Sequence, residues 1–166
     1  VTTYHGIYSQ KNAFKAFYNS GITRGDIVIA NSGMTAALIE KRVPAIQDRI
    51  KTIYRGTDLE AFSEGAITPD RRDALKRQWG LGPEDLDRPL ILNIARISSW
   101  KGQDILTRAM HQLLQVKMPN KPLLILAGGI QGDDRFLAIV QNLIQELGLS
   151  DHVRLVGHCD DVPAAM

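Results

Sequence analysis

Residues 90–127 read LILNIARISSWKGQDILTRAMHQLLQVKMPNKPLLILA, and the spacing of their apolar residues decides the fold. The two ends, Leu90–Ala95 and Leu123–Ala127, are short and mostly apolar, the first interrupted only by Asn93, the pattern of strands buried in a parallel sheet. Between them the period lengthens. Ile105, Leu106, Ala109, Met110, Leu113 and Leu114 fall on one stripe of a helix predicted from Gly102 to Val116. The unit then repeats: Phe136, Val140, Leu143, Ile144 and Leu147 form a second stripe that stops at Gly148, and Val153–Val156 reads as a third strand. Strand starts lie 33 and 30 residues apart, the length of a βαβ unit. Parallel strands joined by helical crossovers form a doubly wound sheet, whose ligands sit at the carboxyl ends of the strands.

Upstream, the composition changes. Residues 57–88 hold Gly65, Pro69, Gly80, Gly82, Pro83 and many charges, with one helix that Thr68 caps and Pro69 opens. No strand pattern occurs there, so this stretch reads as a linker. Before it, Asp26–Ala30 (DIVIA) and Ile50–Tyr54 (IKTIY) read as strands, and Lys11–Tyr18 and Met34–Arg42 as helices, the first carrying Phe14, Phe17 and Tyr18 at helical spacing. The organisation predicted is the end of one Rossmann-like domain (1–56), a linker (57–88) and the first half of a second (89–166). Val1 falls inside a strand pattern and Val162–Met166 reads as a first helical turn, so both ends read as cuts through a longer chain. A piece cut in this way is expected to be inactive and prone to associate through open sheet edges.

The 166 residues are 44% hydrophobic and 23% charged, an ordinary globular composition. A formal charge of +2 gives no dense positive field, which argues against a nucleic-acid partner. The densest basic stretch, Arg71, Arg72, Lys76 and Arg77, is expected to be a solvated helix face. A single cysteine, Cys159, excludes an internal disulfide and fits a reducing, cytoplasmic setting. No apolar run reaches the ~18–20 residues that a membrane span needs. No cluster of His, Cys and carboxylates has metal-ligand spacing, so no metal is expected.

The chemistry is expected after the strand at Leu90. Arg96 stands at its exit and Lys101 five residues on, at the opening of the next helix. Free N–H groups and the helix dipole already favour anions at such a place, and a guanidinium fork beside a compact ammonium makes it a diphosphate site. A lysine there without an anion opposes the dipole at a cost of ~0.3–1 kcal/mol, and local rules are most often broken at functional sites. Asp160 and Asp161 suit a helix cap at Val162 at least as well as a metal or acid–base pair. Gly128, Gly129 and Gly132 suggest a dinucleotide fingerprint, but their spacing is G-G-x-x-G, and Asp133 and Asp134 would place carboxylates against the pyrophosphate.

The run ILNIARISSWKGQDILTRAM resembles the opening of the donor domain in the large retaining GT-B glycosyltransferase family, the glycosyl transferases group 1 that includes many bacterial polysaccharide and lipid glycosyltransferases. TTYHG, IANS, IYRGTDLEAF, LLILAGG and VRLVGHCDDVPAAM resemble further blocks of that family in the right order. The resemblance implies a GT-B fold made of two Rossmann-like sheets. It implies that Arg96 and Lys101 hold the donor diphosphate, that Gly128 and Gly129 let backbone approach the nucleotide, and that Gly157, Asp161 and Val162 border the nucleobase. It implies that His5 ends an acceptor-domain strand and faces the reacting sugar. The family's glutamate pair lies beyond Met166, its glycine-rich loop before Val1, and its Asn ahead of Gly56 is replaced by Arg55.

The resemblance therefore implies a transferase using a nucleotide-diphosphate sugar, with a carbohydrate or lipid acceptor, retention of configuration, no cofactor and no metal. Cell-surface polysaccharide synthesis and peripheral association with the inner face of the membrane fit the same resemblance. A sugar-nucleotide epimerase of this fold, or a fragment that binds the nucleotide sugar without reacting it, would carry the same clamp.

Overall fold

The computed structural model describes residues 1–6, 13–130, 132 and 134–166. The chain divides into two compact units, Val1–Asp58 and Leu59–Met166. Each is an α/β unit on a three-stranded parallel sheet whose strands lie in sequence order.

In the first unit β1 (Thr2–Tyr4), β2 (Val28–Ala30) and β3 (Ile50–Thr52) pair in that order, with α1 (Ala13–Ser20) and α2 (Gly33–Arg42) in the connections. Ser32 caps α2 by accepting a hydrogen bond from Thr35 N at 3.1 Å, and Lys41 and Arg42 complement the dipole at its end. Tyr4, Val28, Ala30, Ala36, Ile39 and Ile46 form the core. The strands are shorter than the apolar runs that predicted them. β2 starts only at Val28, after Ile27, and Ile53 and Tyr54 beyond β3 are exposed. The expected start of the first helix at Lys11 lies outside the described residues. Phe14, Phe17 and Tyr18 on α1 are all exposed, with the Arg24 guanidinium 5.1 Å from the Phe17 ring centroid.

In the second unit the central strand β5 (Leu123–Ala127) is buried along its whole length between β4 (Leu90–Ile94) and β6 (Val153–Gly157). Its side chains alternate between two cores, as the pleat requires. Leu124 and Leu126 pack with Met110 of α4 (Gln103–Leu113) and with Phe136, Val140 and Ile144 of α5 (Asp134–Glu146). Leu123, Ile125 and Ala127 pack with Leu75 and Trp79, while α6 (Val162–Ala165) adds Val162 and Ala164 to the same side. Leu75 belongs to α3 (Pro69–Gln78), and Trp79 closes that helix. The stretch expected to be a linker thus covers one face of this sheet. Two apolar residues four apart in an otherwise charged helix suffice to anchor it. Thr68 caps α3 by accepting from Arg71 N, and Pro69 is its first residue.

The expected stripe on α4 holds for Leu106, Met110, Leu113 and Leu114, which pack on the core, and is corrected at two positions. Ile105 is 69% exposed and Ala109 is exposed, whereas Gln103 and Thr107 are fully buried beside Met110. Both buried polar side chains are hydrogen-bonded: Gln103 Nε2 donates to the Arg96 carbonyl oxygen at 3.0 Å, and Thr107 Oγ1 donates to the Gln103 carbonyl at 2.8 Å. Hydropathy spacing gives no weight to a buried amide or hydroxyl, and so left Gln103 and Thr107 out of the buried face. The stripe on α5 is buried as expected, with Leu147 partly covered. No helix among the described residues is long and apolar enough to cross a membrane.

A buried carboxylate fastens the amino ends of these strands. Asp85, with 1% of its side chain exposed, accepts from Arg88 Nη1 and Arg154 Nη2, each at 2.9 Å, and from Gly82 N at 3.2 Å. Arg88 also donates to the carbonyls of Lys121, Pro122 and Asp151, just ahead of β5 and β6. Burial by itself pushes the Asp85 carboxyl up. The Gly82 N–H and the two guanidinium groups outweigh it and hold the group below the usual carboxylate range. A depressed carboxyl contributes stability above its unfolded pKa of about 3.9, and that contribution is lost as pH falls through the lower folded value. Asp85→Ala is therefore expected to destabilise the unit by about 3 kcal/mol at neutral pH, by leaving two guanidinium groups without their buried partner. Urea unfolding at pH 7 and pH 3 checks this, the gap between wild type and variant narrowing at the lower pH.

Candidate functional site

The ladder between β4 and β5 continues past both strands. Ala95 N donates to Ala127 O at 3.0 Å, Ile97 N donates to Gly129 O at 3.2 Å, and Ile97 bridges Ile130. Gly128 N donates to Gly157 O at 2.7 Å, which ties in the end of β6. These backbones converge so closely that a β-carbon at position 128 would lie 1.8 Å from the Ala95 carbonyl oxygen. Gly128 is therefore required by strand packing. Gly129 has room, with His158 Nδ1 3.7 Å from where its β-carbon would be, and Gly157 has a φ of +75° with nothing near it. Together with Ile97 and Ile130 these glycines line a hollow of about 250 Å³ at the carboxyl ends of the strands.

Arg96, next in sequence to Ile97, leaves β4 exposed. The chain then makes a tight turn over Ser99–Lys101, closed by Lys101 N donating to Ser98 O at 2.9 Å, and Gly102 at φ +74° redirects it into α4. Lys101 thus precedes α4 instead of opening it. Gly102, having no side chain, gives the helix no side-chain cap. Between the two cations stands Trp100. Its ring centroid is 4.7 Å from Lys101 Nζ and 5.7 Å from the Arg96 guanidinium carbon. Behind the loop, Gln103 Oε1, Ser98 Oγ and one oxygen of Asp104 are buried without a described hydrogen-bond partner.

Asp161 and Val162 open α6 at the far side of the same sheet end. One Asp161 oxygen accepts from Ala164 N at 3.1 Å as the helix cap. The carboxylate also grips Arg71 with two bonds, Nε at 2.8 Å and Nη2 at 2.6 Å. That contact holds the Asp161 carboxyl below the usual range. Arg71 is corrected from solvated charge to tertiary anchor, while Arg72, Lys76 and Arg77 on the same helix are exposed. The two partners are 90 residues apart, a separation that carries no sequence signal. Cys159 is buried, which pushes its thiol up and makes it inert.

In the first unit the carboxyl ends of all three strands contribute to one cluster. His5 follows β1, Asn31 follows β2 and Arg55 follows β3. Asn31 is oriented by accepting from the Thr35 hydroxyl at 2.9 Å, and its amide donates to the His5 carbonyl at 3.0 Å. Arg55 Nη2 lies 3.1 Å from His5 Nδ1. A guanidinium only donates, so Nδ1 is the acceptor and the ring proton resides on Nε2. The departure at Arg55 thus supplies the partner of the histidine that the sequence singled out. Trp100, Gln103, Asn31 and Arg71 were not singled out for these contacts, and only Trp100, between two candidate cations, had a sequence position that signals it.

Two glycine variants separate packing from backbone freedom. Gly128→Ala is expected to cost about 3 kcal/mol, since the clash is with backbone and not with a yielding side chain. Gly157→Ala is expected to cost only about 1–2 kcal/mol of left-handed strain. Denaturant midpoints of the two variants against wild type check the order.

Residues 80–166 match the family model described as Glycosyl transferases group 1, and residues 1–61 match that described as Glycosyltransferase Family 4. The chain is 33% identical over 141 residues to the D-inositol 3-phosphate glycosyltransferase of Thermobifida fusca, covering 83% of this chain and 31% of that protein. It is 34% identical over 98 residues to the GDP-mannose-dependent alpha-(1-6)-phosphatidylinositol monomannoside mannosyltransferase of Mycolicibacterium smegmatis, covering 59% of this chain and 22% of that one. Among solved structures, a glycosyltransferase from Rickettsia africae superposes with a TM-score of 0.80 at 27% identity, over 99% of this chain and 41% of its own length. The chain thus spans about a third or less of the curated relatives it matches, and its two parallel α/β units have the GT-B architecture expected from the sequence. Since the first model covers more than half of it, the chain belongs to the Glycosyl transferases group 1 family.

Proposed function

We propose that this chain is part of an enzyme that transfers a sugar from a nucleotide-diphosphate sugar to a carbohydrate or lipid acceptor, with retention and without a metal or cofactor. The observation that carries the reading is the pair Arg96 and Lys101, both against the Trp100 ring in the segment that follows β4, within the region matched by the family model. Breaking the bond from the anomeric carbon to the diphosphate oxygen sends its electron pair to the leaving group. Negative charge then grows on the diphosphate while the sugar ring gains positive character. Fixed cations aimed at that growing charge lower the barrier, the role a divalent ion fills in metal-dependent transferases. Among the described residues, no group of three His, Cys, Asp or Glu side chains is placed to hold a metal.

Gly129 and the open backbone at Gly157 would let the nucleoside approach the sheet end, while Asp161 acts through its cap on α6 and its bond to Arg71. His5, with its proton on Nε2, would present a donor to a hydroxyl of the transferred sugar. One named relative is a GDP-mannose-dependent phosphatidylinositol monomannoside mannosyltransferase and the other a D-inositol 3-phosphate glycosyltransferase, which supports a carbohydrate or lipid acceptor. A role in cell-surface polysaccharide synthesis, in the cytoplasm at the inner face of the membrane, completes the reading.

Two experiments on the whole protein test it. Arg96→Ala and Lys101→Ala are each expected to reduce transfer at least about a hundredfold. Thermal stability should be nearly unchanged, since both side chains belong to an exposed loop. Transfer rates near wild type in both variants would remove the clamp. Activity is also expected to survive excess chelator, and activity lost on chelation but restored by magnesium or manganese would overturn the metal-free mechanism.

A further inference from the structure

Trp100 is 72% exposed, whereas Trp79, the other tryptophan of the chain, is buried. The exposed ring belongs to none of the hydrophobic cores. What surrounds it is charge: Lys101 Nζ at 4.7 Å and the Arg96 guanidinium carbon at 5.7 Å from the same ring centroid. Both lie within the ~6 Å over which the electron-rich ring face attracts a cation. An aromatic partner differs from a carboxylate in one respect that matters here. It attracts both cations while leaving their charge intact for an incoming anion. It also restricts two long side chains that would otherwise lose rotamer freedom when the anion binds.

The ring itself is held by the backbone beneath it. The Ser99–Lys101 turn, the left-handed Gly102 and the Gln103 bond to the Arg96 carbonyl fix where positions 96, 100 and 101 leave the chain. We propose that Trp100 is a positioning residue for the clamp: an aromatic platform that holds Arg96 and Lys101 ready for the diphosphate before it arrives. This rests on the diphosphate reading above and deepens it.

The test is calorimetric titration of the whole protein with inorganic pyrophosphate, uridine diphosphate and guanosine diphosphate. Pyrophosphate carries the anion without a base. Trp100→Leu is expected to weaken binding of pyrophosphate, and of whichever nucleotide binds, about five- to tenfold, the effect of losing two exposed cation–ring contacts. Trp100→Phe should stay within about twofold of wild type, because a phenyl face serves the same purpose. In transfer assays the Leu variant should raise KM for the sugar nucleotide by a similar factor with little change in kcat. Pyrophosphate binding by the Leu variant equal to wild type would overturn the proposal while leaving the clamp intact, provided Arg96→Ala still weakens it. A loss confined to the nucleotides would also overturn it, since the ring would then be stacking on the nucleoside. A Phe variant as weak as the Leu variant overturns it as well. If wild type and Arg96→Ala bind pyrophosphate alike, the clamp itself fails and the platform with it.

Discussion

The pairing of β4 with β5 is the constraint on which the second unit depends. It runs from Leu123 N on Pro89 O to Ile97 N on Gly129 O, well beyond the strands themselves. The extension carries the chain to Arg96 in a fixed direction and brings the backbones close enough to demand glycine at 128. Every group of the candidate site in this unit is placed with respect to that ladder: the hollow at its end, the turn that presents Trp100 and Lys101, and the helix beyond them. Gln103 reinforces it from behind, since its amide spends its one clear donor bond on the Arg96 carbonyl.

The two ends of the same sheet treat charge in opposite ways. At the amino ends Asp85 is buried and satisfied by two guanidinium groups and a backbone N–H, an arrangement that confers order and offers nothing to a ligand. At the carboxyl ends the cations are exposed and both lie against one aromatic ring. The first arrangement contributes to folding. The second keeps positive charge beside the start of α4, which is the state an anion-binding loop must hold before its ligand comes.

The first unit follows the same logic with different groups. Its three strands are short, yet each delivers one residue to a shared cluster: His5, Asn31 and Arg55. The polar contacts run through backbone carbonyl, amide and guanidinium in turn, so the histidine's tautomer follows from its neighbour's chemistry. An arginine where the family pattern has an asparagine therefore changes how the histidine is held.

The sequence by itself determined where the strands fall, the βαβ rhythm, the helix α5 with its buried face, and the place of Arg96 at the exit of β4. All of these rest on short-range patterns: apolar runs, helical spacing, and a strand leading into a turn and helix. It also determined the capping by Thr68 and Asp161, because a cap is a bond between residues three apart. Tertiary structure alone decided the rest. The role of α3 depends on Leu75 and Trp79 meeting β5, and the burial of Gln103 at the start of α4 depends on a hydrogen bond from its amide to the Arg96 carbonyl outside the helix. The pairing of Arg71 with Asp161 and of Arg55 with His5 joins residues 90 and 50 apart. Such contacts are fixed by where the folded backbone brings chain ends together, and no local period records them.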